Sequence, residues 1–136
     1  MLGYVTLGTN DLQKGAPFYD AIAQEMGVGR MMDFDTFIAW GEWGGGAGIA
    51  LTKPFDGQPA TVGNGVMVAI EARDPAQVQR LYDIALAHGG TCEGAPGPRG
   101  EADAQGNVFY AGYFRDPDGN KLNAFCMAPA GSLAAG

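Results

Sequence analysis

Two stretches of this chain carry one pattern in one register. Tyr4-Val5-Thr6-Leu7 opens a segment that runs through Asp11 and Tyr19-Asp20 to Gly27. Met67-Val68-Ala69-Ile70 opens another that runs through Asp74 and Tyr82-Asp83 to Gly90. The offset is 63 at every match: 11+63=74, 19+63=82, 20+63=83, 27+63=90. Four matches in one register, on one hydrophobic pattern, imply a duplicated structural unit. Duplication fixes a symmetric architecture and assigns each position in one half a mate in the other.

Both halves read alike. Residues 2–8 alternate and are rich in β-formers, as a strand is. Asn10-Asp11 caps a helix over 11–26, where Leu12, Ala16, Phe18, Ile22 and Met26 recur near helical spacing and Gly27 is the stop. Short strands are expected at Met31–Asp33, Phe37–Glu42 and Gly48–Thr52. The Gly44-Gly45-Gly46 run turns the chain between the last two. A segment over 54–65, with Pro54, Gly57, Pro59 and Gly63, links the halves. The order then repeats: a strand over Val66–Glu71, a helix over 75–88 with proline at its first position, and a stop at Gly89-Gly90. A strand over Thr91–Glu93 leads into a Gly/Pro-rich loop over 94–106. Strands over Val108–Phe114 and Lys121–Met127 flank an Asp116-Pro117-Asp118-Gly119-Asn120 turn. The organisation is thus a βαβββ module over 1–53, a linker over 54–65, a second module over 66–127 and a flexible Ala/Gly/Pro/Ser tail over 128–136.

A length of 136 residues suits one core. Fifteen acids against eight bases give a net charge of −7. That balance disfavours nucleic acid and anionic membranes as partners, and mildly favours a neutral or cationic ligand. No run approaches the ~20 apolar residues of a membrane span, and no basic segment precedes an apolar one at the start, so a cytoplasmic protein is expected. Cys92 and Cys126 do not make a disulfide framework, and Cys126 reads as core.

The doubled βαβββ unit, opening with Leu2-Gly3-Tyr4-Val5-Thr6-Leu7, resembles the vicinal oxygen chelate superfamily. So does the run Phe114-Arg115-Asp116-Pro117-Asp118-Gly119-Asn120-Lys121-Leu122, with support from Leu51-Thr52-Lys53-Pro54-Phe55-Asp56-Gly57 and Phe18-Tyr19. That superfamily groups glyoxalase I, bleomycin-resistance proteins, fosfomycin-resistance proteins and extradiol dioxygenases. The resemblance implies an α+β fold: two tandem βαβββ modules forming a curved, partly closed mixed sheet, helices outside, around a pocket.

Metal-dependent members of the family place a His at the start of each first strand and a Glu in each last strand, four ligands around one divalent ion. Carried over, those positions are Tyr4, its mate Met67, Asn123 and its mate Ala50. None supplies imidazole or carboxylate, and a Met, an Ala and a neutral Tyr are negligible ligands for such a metal. No metal and no cofactor are therefore expected. His88, the only histidine, falls at a helix end on the outer side of the sheet, where a favourable C-terminal interaction accounts for it. Glu71 shares a strand face with Met67 near the rim, and Glu42 sits beside the Gly-rich turn. Arg115 is open to two readings, a contact with an anionic group or an ion pair with Asp116 or Asp118.

Strand alternation gives a mostly apolar lining of Tyr4, Thr6, Ala50, Thr52, Met67, Ala69, Asn123 and Phe125. Trp40 and Tyr110, with Trp43, Phe109 and Tyr113, lie on strands or turns that close the bowl; their facing stays open. Such a cup resembles the metal-free bleomycin-resistance type, which binds a small apolar or aromatic ligand. Tyr4 and Asn123 would supply its few polar contacts. The alternative is a lyase or dioxygenase of the glyoxalase I or extradiol kind with divergent or metal-free chemistry, Tyr4 or Glu71 serving as acid or base. No catalytic residue is assigned. Exposed strand edges, and the pairing of chains around shared sites in the family, imply a homodimer.

Overall fold

The duplication is realised as two four-stranded sheets, each closed within its own module. The structure is a computed structural model that describes residues 1–133. The first module runs β1 (Tyr4–Gly8), α1 (Leu12–Glu25), β2 (Gly29–Phe34), β3 (Phe37–Gly41) and β4 (Gly48–Thr52). The second runs β5 (Val68–Glu71), α2 (Pro75–Ala87), β6 (Thr91–Arg99), β7 (Asn107–Arg115) and β8 (Lys121–Pro129), then a 3-10 turn over Ala130–Leu133. The sheet orders match, β1-β4-β3-β2 and β5-β8-β7-β6. In each, the first and last strands pair in parallel and the other pairs are antiparallel. The single curved sheet implied by the resemblance is here divided, with no hydrogen-bonded ladder between the modules among the described residues.

The repeat mates Asp11 and Asp74 do the same job. Each is an N-cap, accepting from the backbone N–H of Lys14 and of Gln77 respectively, which satisfies a donor that the first helical turn leaves free. Helix α1 then meets both sheets. Tyr19 stacks on Trp40 of β3, ring centroids 5.2 Å apart, while Phe18 tilts against Phe114 of β7 at 6.2 Å. Phe18, Tyr19 and Phe114 are all fully buried in one core shared by the modules. Between the helices, Glu25 accepts from Gln77 and Arg80.

The Asp116–Asn120 turn clasps one module to the other. The buried Asp116 carboxylate accepts from the Asp118 and Asn120 backbone N–H groups, from Asn120 Nδ2 and from the Tyr19 hydroxyl at 2.6 Å. Asp118 accepts from the Thr9 hydroxyl at 2.6 Å and from the Asn10 N–H. Asn120 Nδ2 also donates to the Gly8 carbonyl. The sequence run that carries the family resemblance is thus occupied with holding the end of β1 and the start of α1. Arg115 joins neither aspartate. It pairs with Glu93 at 2.7 Å and donates to the Gly119 carbonyl.

Several boundaries differ from those expected. β6 continues through Gly94, Ala95, Pro96, Gly97 and Pro98 to Arg99, where the sequence reads as a loop. β6 is an edge strand with bulges after Cys92 and Gly94, and an edge tolerates proline because it has outward positions that need no N–H. β8 extends to Pro129, so the tail expected over 128–136 is ordered through Leu133; 134–136 lie outside the described residues.

Candidate functional site

Helices cover one face of each sheet, and the other face is bare. Pairing registers settle which residues belong to which. In the first sheet Leu7, Ile49, Leu51, Ile38 and Trp40 pack into or against the core. The opposite face carries Tyr4, Thr6, Ala50 and Thr52, with Ala39 and Phe37 beside them across β3. Its centre is shallow, built on Ala39, Gly41, Gly48 and Ala50. Tyr4 and Phe37 meet edge to face over it at 5.7 Å, and Met31 leans across Gly41 and Gly48.

The second bare face is richer. Hairpin pairing sets Tyr113 opposite Asn123, Ala111 opposite Phe125 and Phe109 opposite Met127, while Ala69 flanks Asn123 across β5. Phe109 and Phe125 stack at 5.4 Å with planes 15° apart. Asn123 is 1% exposed, and its Oδ1 is buried without a hydrogen-bond partner. An unpaired buried acceptor costs about 1–3 kcal/mol.

Of the residues singled out from sequence, Tyr4, Thr6, Ala50 and Thr52 therefore share the first face, and Asn123 and Phe125 the second. Met67 precedes β5 and is 40% exposed, as is Tyr4. Within one chain these do not converge on a single cavity. Trp40 and Tyr110, whose facing the sequence leaves open, both turn to the helix side. Trp40 is buried against Tyr19 and donates Nε1–H to Asp20 at 2.7 Å; Arg30 makes two bonds to the same carboxylate. Arg30, then Trp40, hold the Asp20 carboxyl below the usual carboxylate range against the opposing effect of burial. Tyr110 packs on the core opposite Cys126.

A cleft of about 580 Å³ follows the seam between α1, the β1/β4 side of the first sheet and β5. Val5, Ile22, Met26, Ile49, Val68 and Ile70 form its walls, and Trp40 and Met67 reach it. Tyr4, Thr6, Ala50, Thr52, Asn123 and Phe125 do not line it. Part of its wall is made of residues in or packed against the shared core, with Leu2, Gly41, Gly48, Ala69 and Glu71 also lining it, and its Tyr19 and Trp40 polar atoms are already committed to Asp116 and Asp20.

The four family ligand positions do not fit a metal. Among the described residues, no three His, Cys, Asp or Glu side chains gather as a metal site needs. His88 caps α2, its Nδ1 lying 2.8 Å from the Ile84 carbonyl. Sequence reasoning left Phe109 and Tyr113 unplaced and passed over Ala111, Arg99 and Lys121. The five-residue turn held the missing signal: closing at Arg115 and Lys121, it fixes the parity of everything upstream on β7.

A family model described as the Glyoxalase/Bleomycin resistance protein/Dioxygenase superfamily matches residues 1–124. A crystal structure of a glyoxalase/bleomycin resistance protein from Albidiferax ferrireducens T118 is similar at 34% identity and TM-score 0.82, covering 94% of this chain and 99% of that one. A glyoxalase/bleomycin resistance protein/dioxygenase family enzyme from Burkholderia phytofirmans PsJN shares the fold at 15% identity and TM-score 0.70, covering 93% and 98%. A hypothetical protein, SA1046 from S. aureus, does so at 23% identity and TM-score 0.67, covering 93% and 92%. No curated protein matches.

Proposed function

This chain belongs to the glyoxalase/bleomycin resistance protein/dioxygenase superfamily, and from that membership we propose that it binds a small apolar or aromatic molecule on the bare faces of its sheets, without a metal. The observation that carries this reading is the unpartnered, buried Oδ1 of Asn123, flanked on its face by Tyr113, Phe125 and Ala69. A hydrogen-bond donor on a ligand would satisfy it, and the paired Phe109 and Phe125 rings would supply stacking area. Tyr4, Ala50, Met67 and Asn123 offer no imidazole or carboxylate, so the polarising chemistry of metal-dependent relatives has no ligand set here.

A homodimer completes the site in this reading. The two bare faces belong to different modules, and among the described residues β1 and β5 are edge strands without a ladder partner on their outer side. A second copy would set the first face of one chain, with Tyr4 and Ala50, over the second face of the other. Light scattering at micromolar concentration should give twice the 14.1 kDa chain mass; a monomer would remove this part of the proposal.

The test of binding is a thermal-shift titration of EDTA-dialysed protein with naphthalene-2-carboxamide, an uncharged aromatic donor. At a hundredfold excess over its dissociation constant, the probe should stabilise by about 2.7 kcal/mol. Ala50→Trp, at a fully buried position of the first face, should abolish the shift, with circular dichroism and an unfolding curve showing whether the variant has folded. An unaltered shift in that variant would move the site elsewhere. Near one equivalent of zinc, nickel, manganese or iron retained after dialysis would overturn the metal-free reading.

A further inference from the structure

The net charge of −7 points to a neutral or cationic ligand, but the second bare face is locally cationic. Tyr113, which pairs with Asn123, has two positive groups against its ring. The Arg99 Cζ lies 5.5 Å from the ring centroid and the Lys121 Nζ 5.7 Å. Neither cation has a carboxylate within ion-pair distance among the described residues. Glu93, which feels the Lys121 charge, is already taken by Arg115 at 2.7 Å. Glu71, the other carboxylate of this face, sits across β5 beside Phe125, two strands from Tyr113.

Arg99 is built into this place. Its register partner is Phe109, yet its side chain runs back along the bulged strand to reach Tyr113. Nη2 donates to the Ala95 carbonyl at 2.7 Å and Nη1 to that of Pro98 at 3.4 Å. It crosses two glycines on the way. A Cβ at Gly97 would come within 3.1 Å of the guanidinium, and one at Gly94 within 3.4 Å. Gly94 also has φ of +153°, which other residues rarely adopt. The bulges and glycines of β6 thus make a bed for one guanidinium. Two carbonyls occupy only part of its five-donor fork, which leaves donors for an anion.

We propose that the ligand of this face is an aromatic acid. Its anionic group is held by Arg99 and Lys121 on the Tyr113 side of the face, its ring lies over Ala111 against Phe109 and Phe125, and Asn123 Oδ1, an acceptor, takes a donor elsewhere on the ligand rather than the carboxylate. Successive same-face positions on a strand are ~6.8 Å apart, so an acid attached directly to a two-ring system spans one such step, from the Tyr113/Asn123 pair to the Ala111/Phe125 pair. The inference rests on the ligand-binding reading above and sharpens it.

Naphthalene-2-carboxylate, naphthalene-2-carboxamide and naphthalen-2-ylmethylamine share one ring system and differ in charge. Isothermal titration at low salt should rank the carboxylate about tenfold tighter than the carboxamide, with the amine weakest. The preference should shrink at high salt. Arg99→Gln with Lys121→Gln should erase the preference by weakening the carboxylate far more than the carboxamide, while Arg99→Lys should keep part of it. Unfolding curves of each variant show whether it has folded. Equal affinity for carboxylate and carboxamide, or preference for the amine, would overturn the aromatic-acid assignment and leave the ligand-binding reading standing. Failure of all three probes to bind would overturn both.

Discussion

The two bare faces are built on one repeated pattern and have become different surfaces. The first is small and uncharged at its centre, with Ala39, Gly41, Gly48 and Ala50 beneath a Tyr4–Phe37 pair. The second, at matching strand positions, carries a buried amide, a stacked phenylalanine pair and two cations around Tyr113. Behind the faces the modules still agree: Asp11 and Asp74 cap equivalent helices and the strand orders coincide. The pattern that folding requires is kept in both copies, while the faces that folding leaves bare have diverged. That contrast is why function is sought on them.

Breaking the clasp should have the largest effect, because it removes the frame that both faces share. Asp116 accepts four hydrogen bonds while buried, and bonds to a charged group contribute about 1.5–3 kcal/mol each. Since such terms do not add fully, Asp116→Ala should cost about 3–5 kcal/mol in urea unfolding. A loss under about 1 kcal/mol would show that the modules are held by packing alone.

A smaller effect separates the repeat mates Tyr19 and Tyr82. Burial, then the Asp116 carboxylate, push the Tyr19 phenol well above its ordinary value. The Tyr82 hydroxyl lies beside the Cys92 thiol instead. Tyr19→Phe should cost about 1.5–3 kcal/mol by leaving Asp116 short of a donor, and Tyr82→Phe should cost clearly less. Equal losses in the two variants would mean that the clasp does not distinguish the modules.

Asn123→Leu tests the second face from the other side. Removing an unsatisfied buried acceptor should stabilise the free protein by about 1 kcal/mol while weakening naphthalene-2-carboxamide binding. A destabilised variant would mean that Oδ1 already has a partner in solution.

The smallest effect belongs to the helix side of the first sheet. The Asp20 carboxyl, lowered chiefly by Arg30, contributes stability that is present above its unfolded pKa of about 3.9. That contribution is lost as pH falls through the lower folded value. Urea midpoints should therefore drop between pH 5 and pH 2.5, and drop less in Asp20→Asn. Glu25 and Glu93 are lowered by Arg80 and Arg115 and titrate in the same direction, so part of the acid loss should persist in the variant.

The repeat, the caps and the hairpin turn made the fold readable, because each rests on local chemistry that tertiary contacts did not override. Edge strand β6 was unreadable for the same reason in reverse: Pro96 and Pro98 announce a loop, and only an outer position in the sheet lets them stay in a strand. The facing of Trp40 depends on Asp20 and Arg30, twenty and ten residues away along the chain, which no alternation shows. Arg99 lay in the stretch read as a loop, and its side chain travels along the sheet rather than standing on it. Asn123 was readable as a polar group on an apolar face. That its oxygen lacks a donor is a property of packing alone.

The most direct test is amide chemical-shift mapping of EDTA-dialysed protein titrated with naphthalene-2-carboxylate. The largest shifts should fall on Phe109, Ala111, Tyr113, Asn123 and Phe125, and restoring zinc should leave them unchanged. Shifts confined to Val5, Ile22, Ile49 and Val68 of the inter-module cleft, or binding that appears only once metal is restored, would contradict the account.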